Sequence, residues 1–463
     1  MDPHPYRGLS LWHDQQLDAG DDLMPRAPLA GDRDADVAIV GAGYTGLWTA
    51  LSLLDADPSV RVVVVERDIA GFGASGRNGG WASAIFPTPW QRIAKESSAD
   101  DARRMQLALC DAVDGIGRVA SAEGIDCDYV KGGYLAAARN LGQLQRARQE
   151  VEHARAWGFG EDFIQLLDAK EFGELVSMSK VAGGTFTPHC AAIHPAKLVR
   201  GLALAVERRG GVIYEQTEVD AIEPGVLRTR HGDVRAEFIV RATEGYTAEL
   251  PGMRRDIVPM YSLMVATEPL TDAVWKDLGL AGRATFGDKR HLRIYGQRTA
   301  DGRIAFGGRG APYHFGSRVE SDFDSNDRVH AMLRAIVIDL FPSLKDVTFT
   351  HAWGGALGIP RDWFPRVGLD RGTGLAWAGG YVGDGVTTSF LAGRTLADLI
   401  TGTNSDLVDL PWVGRRSRKW EPEPLRWTGV NAVTALMATG DRTEARTGQP
   451  SKSVAAFWRT MGF

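Results

Sequence analysis

The residues with the clearest chemical purpose are Gly41-Ala42-Gly43-Tyr44-Thr45-Gly46. They follow a short apolar run, Asp36 to Val40, and open a helical stretch, Leu47 to Leu54; a second apolar run, Arg61 to Val65, ends in Glu66. A G-x-G-x-x-G between strand and helix suits a dinucleotide pyrophosphate: Gly41 allows the tight turn, Gly43 lets a phosphate approach the backbone, and Gly46 lets helix and strand pack closely. The free N–H groups and partial positive charge of the helix N-terminus meet the phosphates. Glu66, about 20 residues on, accepts from ribose hydroxyls and disfavours a phosphorylated ribose, so NADP is not expected.

Two further segments choose between FAD and NAD. Gly71-Phe72-Gly73-Ala74-Ser75-Gly76-Arg77-Asn78-Gly79-Gly80 comes just after Glu66 and can lie along an extended ligand. Ser75 and Arg77 are expected to serve the pyrophosphate, with the backbone from Asn78 to Trp81 reaching towards a flavin ring. Near the other end, the strand-like Leu375 to Gly379 leads into Gly380-Tyr381-Val382-Gly383-Asp384-Gly385 and a helical run, Val386 to Ile400. A helix N-terminus aimed at the flavin stabilises the negative charge of its reduced form. Two strand–glycine–helix units so far apart, the second without a dinucleotide fingerprint, fit one FAD bound end to end.

With these motifs in place, the chain resembles the D-amino-acid oxidase-like flavoenzymes, which include glycine, sarcosine and proline-type amine oxidases and dehydrogenases. Its look is nearest to the branch similar to gamma-glutamylputrescine oxidase. Ile39 to Gly46, Glu66, Gly73 to Gly80 and Ala378 to Val386 carry the resemblance, which covers roughly residues 35–400. It implies that Arg67 and Ala74 join the cofactor site and that Val219 holds the adenine through its backbone. It implies the same site for Gly355, Tyr381, Asp384 and Val386. Three departures stand out. Pro360 to Gly368 lacks a Thr common in the family, Glu244 stands where Asn is common, and no Cys lies between His351 and Gly385, so the FAD is expected to be non-covalent.

Flavin oxidation of an amine is expected to move a hydride from the carbon beside nitrogen to flavin N5. The product is an imine that hydrolyses. The amine must bind unprotonated, with that carbon about 3–3.5 Å from N5 and water excluded. No acid–base residue is strictly required. The family places Trp81, Tyr261, Tyr295, Trp353 and Trp363 over the flavin as substrate-binding candidates, an aromatic cage able to hold a cation. His291 is a candidate proton acceptor, and Arg293 a partner for a substrate carboxylate. Arg309 lies near where some relatives keep a Lys that promotes reaction with oxygen. Each aromatic has core packing as its alternative, and Arg293 a surface ion pair. His189, Cys190 and His194 offer no closed ligand set, so no metal is expected.

These residues must be positioned by a fold of class α/β, α+β overall. The expectation is a Rossmann-like FAD-binding domain interleaved with a smaller antiparallel-sheet substrate domain. An arm spans 1–29. The FAD domain takes 30–97, 181–250 and 351–403; the substrate domain takes 98–180 and 251–350; a tail spans 404–463. Ser97 to Ala122 and Leu141 to Trp157 read as helices, while Tyr129 to Ala136, Tyr261 to Thr267 and 303–308 read as strands. The tail holds Arg415-Arg416-Ser417-Arg418-Lys419, read as a solvated surface with Trp420 and Trp427 docked on the body.

Composition agrees with an enzyme of this kind. The chain has 463 residues, 44% hydrophobic and 24% charged, and a net charge of −5 that gives a nucleic-acid partner no support. Three cysteines without CxxC spacing fit a reducing cytosol, and no apolar run approaches membrane length, so the expectation is a cytoplasmic protein off the membrane. Oxygen or another electron acceptor completes the reaction, in a monomer or homodimer. The rival readings are flavin-dependent oxidation of a 2-hydroxy acid or polyol, and a non-catalytic flavoprotein module.

Overall fold

The computed structural model describes residues 4–461. Its first sheet is built on Arg33–Val40, which pairs in parallel with Val62–Val65 on one side and Gly232–Arg241 on the other. Val212–Tyr214 extends the sheet beyond Val62–Val65, and Leu375–Gly379 extends it beyond Gly232–Arg241, again in parallel. Arg366–Asp370 closes one edge antiparallel. Both faces of the central strands are buried, which is why they read as continuous apolar runs. Val37, Ile39, Val62 and Val64 enter a large core with the helices Tyr44–Ala56 and Gly385–Thr401. Ala38, Val40, Val63 and Val65 enter a smaller one under the antiparallel flap Val219–Glu223 and Val226–Thr229.

Register decides where a ligand can go. Val40 stands opposite Val65 and Arg241, and Arg241 opposite Trp377, so the parallel strands finish together. The turns that follow them converge on one rim, the carboxyl edge where open α/β sheets bind ligands.

The second sheet runs Phe349–Ile359, Val258–Thr267, Ile304–Gly308, Ile294–Arg298, Thr285–Asp288, Tyr134–Ala138, Gly183–Thr187, Gln165–Leu167. All its pairings are antiparallel except that of Thr285–Asp288 with Tyr134–Ala138. The helix Asp327–Leu340 covers it through Leu333, Val337 and Leu340. A short ribbon, Trp81–Ser83 with Cys190–Ala192, lies in a sheet of its own.

The expected domain boundaries shift in three places. Gly183–Thr187 and Phe349–Ile359 belong to the second sheet, and Ala99–Ala122 buries Met105, Leu109, Val113 and Ile116 in the first core. An amphipathic stripe specifies a buried face but not which of two cores will bury it.

The arm contains a helix, Leu11–Asp18, with Leu11 and Trp12 at 1% exposure. The tail ends in two helices, Leu425–Thr447 and Lys452–Met461. Trp420 is docked and donates to Ile359 O (2.8 Å), whereas Trp427, expected to dock, is 43% exposed. Within the basic run, Arg415 pairs with Glu96 and Asp362, and Arg416 with Asp370. Among the described residues no helix is long and apolar enough to cross a membrane.

Candidate active site

The first glycine turn leaves room only for backbone. Gly41 has φ +104°, and a Cβ there would lie 2.8 Å from Ala242 O; one on Gly46 would lie 2.0 Å from Gly41 O. At Gly43 the nearest atom would be Ser75 Oγ, at 2.9 Å, and that hydroxyl accepts from Tyr44 N. The Glu66 carboxylate sits at the next strand end and accepts from Ala42 N (2.8 Å) and Asp68 N (3.0 Å). Burial nonetheless pushes its carboxyl up to about 7. Thr217 N donates to Glu66 O (2.8 Å), so the segment leading to Val219 runs beside it. Arg67 faces outward and pairs with Glu249 and Asp68.

The second glycine segment is not wholly extended: Ala74–Arg77 forms a single helical turn. Arg77 is 3% exposed, and its guanidinium pairs with Asp324 and donates to Phe72 O (2.7 Å). That side chain is therefore committed within the protein, to Asp324 and Phe72, rather than left free for a ligand. Asn78 closes the turn on itself, donating to Ser75 O and accepting from Gly80 N. Gln297, which carries no motif, donates to Gly79 O (2.9 Å) and Gly80 O (3.1 Å) and fixes this backbone to the second sheet. Trp353 and Trp12 brace it through hydrogen bonds to Arg77 O (2.8 Å) and Asn78 O (2.9 Å).

The third turn meets the first directly. Thr45 Oγ1 and the Tyr381 hydroxyl share a hydrogen bond of 2.8 Å. Gly380 and Gly383 have φ of +75° and +99°, and Gly385 and Val386 open the helix Gly385–Thr401. Asp384 caps that helix with its backbone alone, and burial pushes its carboxyl up to about 6 against the pull of Arg309 and Arg293. Glu244 accepts from Tyr381 N (2.9 Å), while its Oε2 is buried without a partner; burial pushes this carboxyl up to about 7. Gly355 lies behind Arg77.

The substrate candidates separate into groups. Trp81 packs on Tyr134 (4.8 Å between ring centroids) and Tyr295 (5.9 Å), and its indole N–H is buried without a partner. Tyr295 lies against Gly79, where a Cβ would meet its ring at 2.5 Å, and shares a hydrogen bond with Ser262. Arg309 donates to Val382 O, and its backbone N donates to Arg293 O (3.0 Å). The Arg293 side chain is exposed and has no hydrogen bond or ion pair among the described residues. His291 turns its ring elsewhere, with Nε2 2.9 Å from Glu444 Oε1 in the tail. Tyr261 is 2% exposed and bonds the backbone of Glu320. Trp363 packs with Val258 and Trp420. His194 Nδ1 accepts from Lys197 N, and Cys190 Sγ lies 3.2 Å from Thr285 Oγ1.

The residues present fit a bound FAD. Glycine turns converge on one rim with no room for side chains, an acid held by two backbone N–H groups stands at the second strand end, and the final turn opens a long helix. Asp324, Gln297 and Tyr134 went unread because their partners lie far away in sequence.

The sequence matches the family described as DAO, FAD dependent oxidoreductase, over residues 36–399. It is 32% identical over 373 residues to the gamma-glutamylputrescine oxidoreductase of Escherichia coli (strain K12), covering 79% of this chain and 84% of that protein. It is 31% identical over 389 residues to a probable oxidoreductase, OrdL, of Haemophilus influenzae, covering 82% and 86%. Its fold is similar to that of glycine oxidase from Geobacillus kaustophilus, with a TM-score of 0.68, 23% identity and coverage of 83% and 100%.

Proposed function

The chain belongs to the DAO family of FAD-dependent oxidoreductases, and from that premise we propose that it oxidises a small amine or amino acid whose carboxylate is held by Arg293. FAD, when bound, supplies a two-electron acceptor for the carbon beside nitrogen. The chain's own residues bind, orient and shield. The turn Gly41 to Gly46 and Glu66 hold the dinucleotide half, and the backbone of Asn78 to Gly80 and Gly383 to Gly385 faces the flavin half. Attachment is taken as non-covalent, since no cysteine lies between His351 and Gly385.

Arg293 carries this reading. Its guanidinium is unpaired, yet close enough to Arg309, Asp384 and Tyr134 to shift the titration of each. A guanidinium without a partner, near a second one, calls for an anion, and a carboxylate matches its fork. Trp81 packs against both Tyr134 and Tyr295, and an aromatic cluster of this kind beside the flavin would shed water and favour a neutral amine over an ammonium. Gamma-glutamylputrescine, for which one relative is named, carries both an amine and a carboxylate.

The test is anaerobic mixing of the yellow holoprotein with polyamines, N-methyl amino acids and D-amino acids. One class should bleach the flavin, faster as pH rises through amine deprotonation. Arg293→Met should raise KM about tenfold or more with a smaller change in kcat. Bleaching by a 2-hydroxy acid and by no amine would overturn the reading, and flavin that stays with the acid-denatured protein would overturn non-covalent attachment.

A further inference from the structure

The family match ends at residue 399, yet the helix Leu425–Thr447 lies beyond it and reaches back to the candidate site. Its contact is with the turn between Thr285–Asp288 and Ile294–Arg298. The Asp441 carboxylate accepts from two consecutive backbone groups there, His291 N (2.7 Å) and Leu292 N (2.9 Å). One turn on, Glu444 accepts a two-pronged contact from Arg146 (2.9 and 2.6 Å), a bond from Ser451 N and one from the His291 ring. Burial would raise the Glu444 carboxyl, but these partners outweigh it and hold it at about 2. Arg146 also donates to Lys289 O (2.9 Å). The turn is thus gripped at both ends, by Arg146 on Lys289 and by Asp441 on residues 291 and 292.

The next residue is Arg293. Its carbonyl is fixed by Arg309 N, while its side chain is free. We propose that Asp441 is a positioning residue: the tail helix sets the backbone from which Arg293 presents its guanidinium to a substrate carboxylate. This rests on the amine-and-carboxylate reading above. Two charge-assisted bonds to adjacent N–H groups leave that stretch of backbone little freedom, and a guanidinium that must meet a carboxylate with both prongs tolerates little displacement. The tail is then part of the binding apparatus although it contributes no group that touches substrate.

The test uses holoprotein and benzoate as the carboxylate probe, followed by the change it makes in the flavin spectrum. Arg293→Met should weaken benzoate about tenfold or more, and Asp441→Ala by about tenfold, with Asp441→Asn, which keeps one acceptor, between wild type and alanine. The double variant should bind no more weakly than Arg293→Met alone, since each change removes the same interaction. A merely structural role would lower the melting temperature and add its loss to that of Arg293→Met. Additive losses, or an Asp441→Ala protein that binds benzoate like wild type, overturn the positioning role and leave the carboxylate reading intact. Benzoate that fails to bind the wild type, or binds Arg293→Met unchanged, overturns the carboxylate reading and the positioning role with it.

Discussion

At the scale of single residues, the three glycines of the first turn are not equivalent. A side chain on Gly46 would collide with the carbonyl of Gly41, which cannot move without undoing the turn. Gly46→Ala should therefore destabilise the whole protein by at least about 3 kcal/mol, measured by denaturant unfolding. Gly43 faces the Ser75 side chain, which can turn aside at the loss of its bond from Tyr44 N. Gly43→Val should fold with a near-normal melting temperature and bind no flavin; recovery of full yellow holoprotein would show that the dinucleotide lies elsewhere. Asp384 is a different case. With the flavin at the start of this helix, as proposed, a carboxylate there would oppose the negative charge of reduction, so Asp384→Asn should raise the midpoint potential of bound flavin by roughly 30–60 mV at neutral pH. The tight turn from Gly41 to Gly46 was legible in the sequence because backbone constraint leaves a local signature. The pairing of Arg77 with Asp324 was not legible, because nothing near Arg77 reveals a partner 247 residues away.

Elements carry a second kind of consequence. Glu244 opens the short helical segment Glu244–Glu249 with φ +40° and lends its carboxylate to the Tyr381 turn. Its folded value, about 7, lies above the ordinary 4.5, so the folded state holds a proton that the unfolded chain has released. Stability from this group is complete below about 4.5, falls as pH rises towards about 7, and is level above that. Glu244→Gln abolishes the titration, so its apoprotein melting temperature relative to wild type should climb between pH 5 and pH 8. A constant difference across that range would show that Glu244 is ionised throughout. Strands and helices next to glycine motifs were read closely, Leu375–Gly379 at both ends and those around the first turn within three residues. The tail helix Leu425–Thr447 was not, because its buried positions, Arg426, Met437, Gly440 and Glu444, form no apolar stripe. Two of them are charged and are buried through ion pairs.

For the molecule as a whole, the candidate cofactor site is also a seam. The rim of the first sheet meets the second through Gln297 on Gly79 and Gly80, Trp353 on Arg77 and Arg77 on Asp324. A ligand bound along that rim stabilises both sides at once. With free FAD at a thousandfold excess over its Kd, the folded state should gain about 4 kcal/mol. Stripping the flavin should lower the melting temperature and broaden or split the transition, and adding FAD back should restore it. An apoprotein melting like the holoprotein would mean that the flavin is peripheral.

The hydrogen bond between Thr45 and Tyr381 spans 336 residues of chain. A ribosome adding about 5–20 residues per second takes roughly 20–70 s to cover that distance. Through all that time the glycine turn exists without its counterpart, and its central strand waits for Gly232–Arg241 to take one of its edges. A nascent chain stalled before Tyr381 should not retain flavin. Retention of the cofactor therefore waits until the segment around Tyr381 has been made and has joined Thr45.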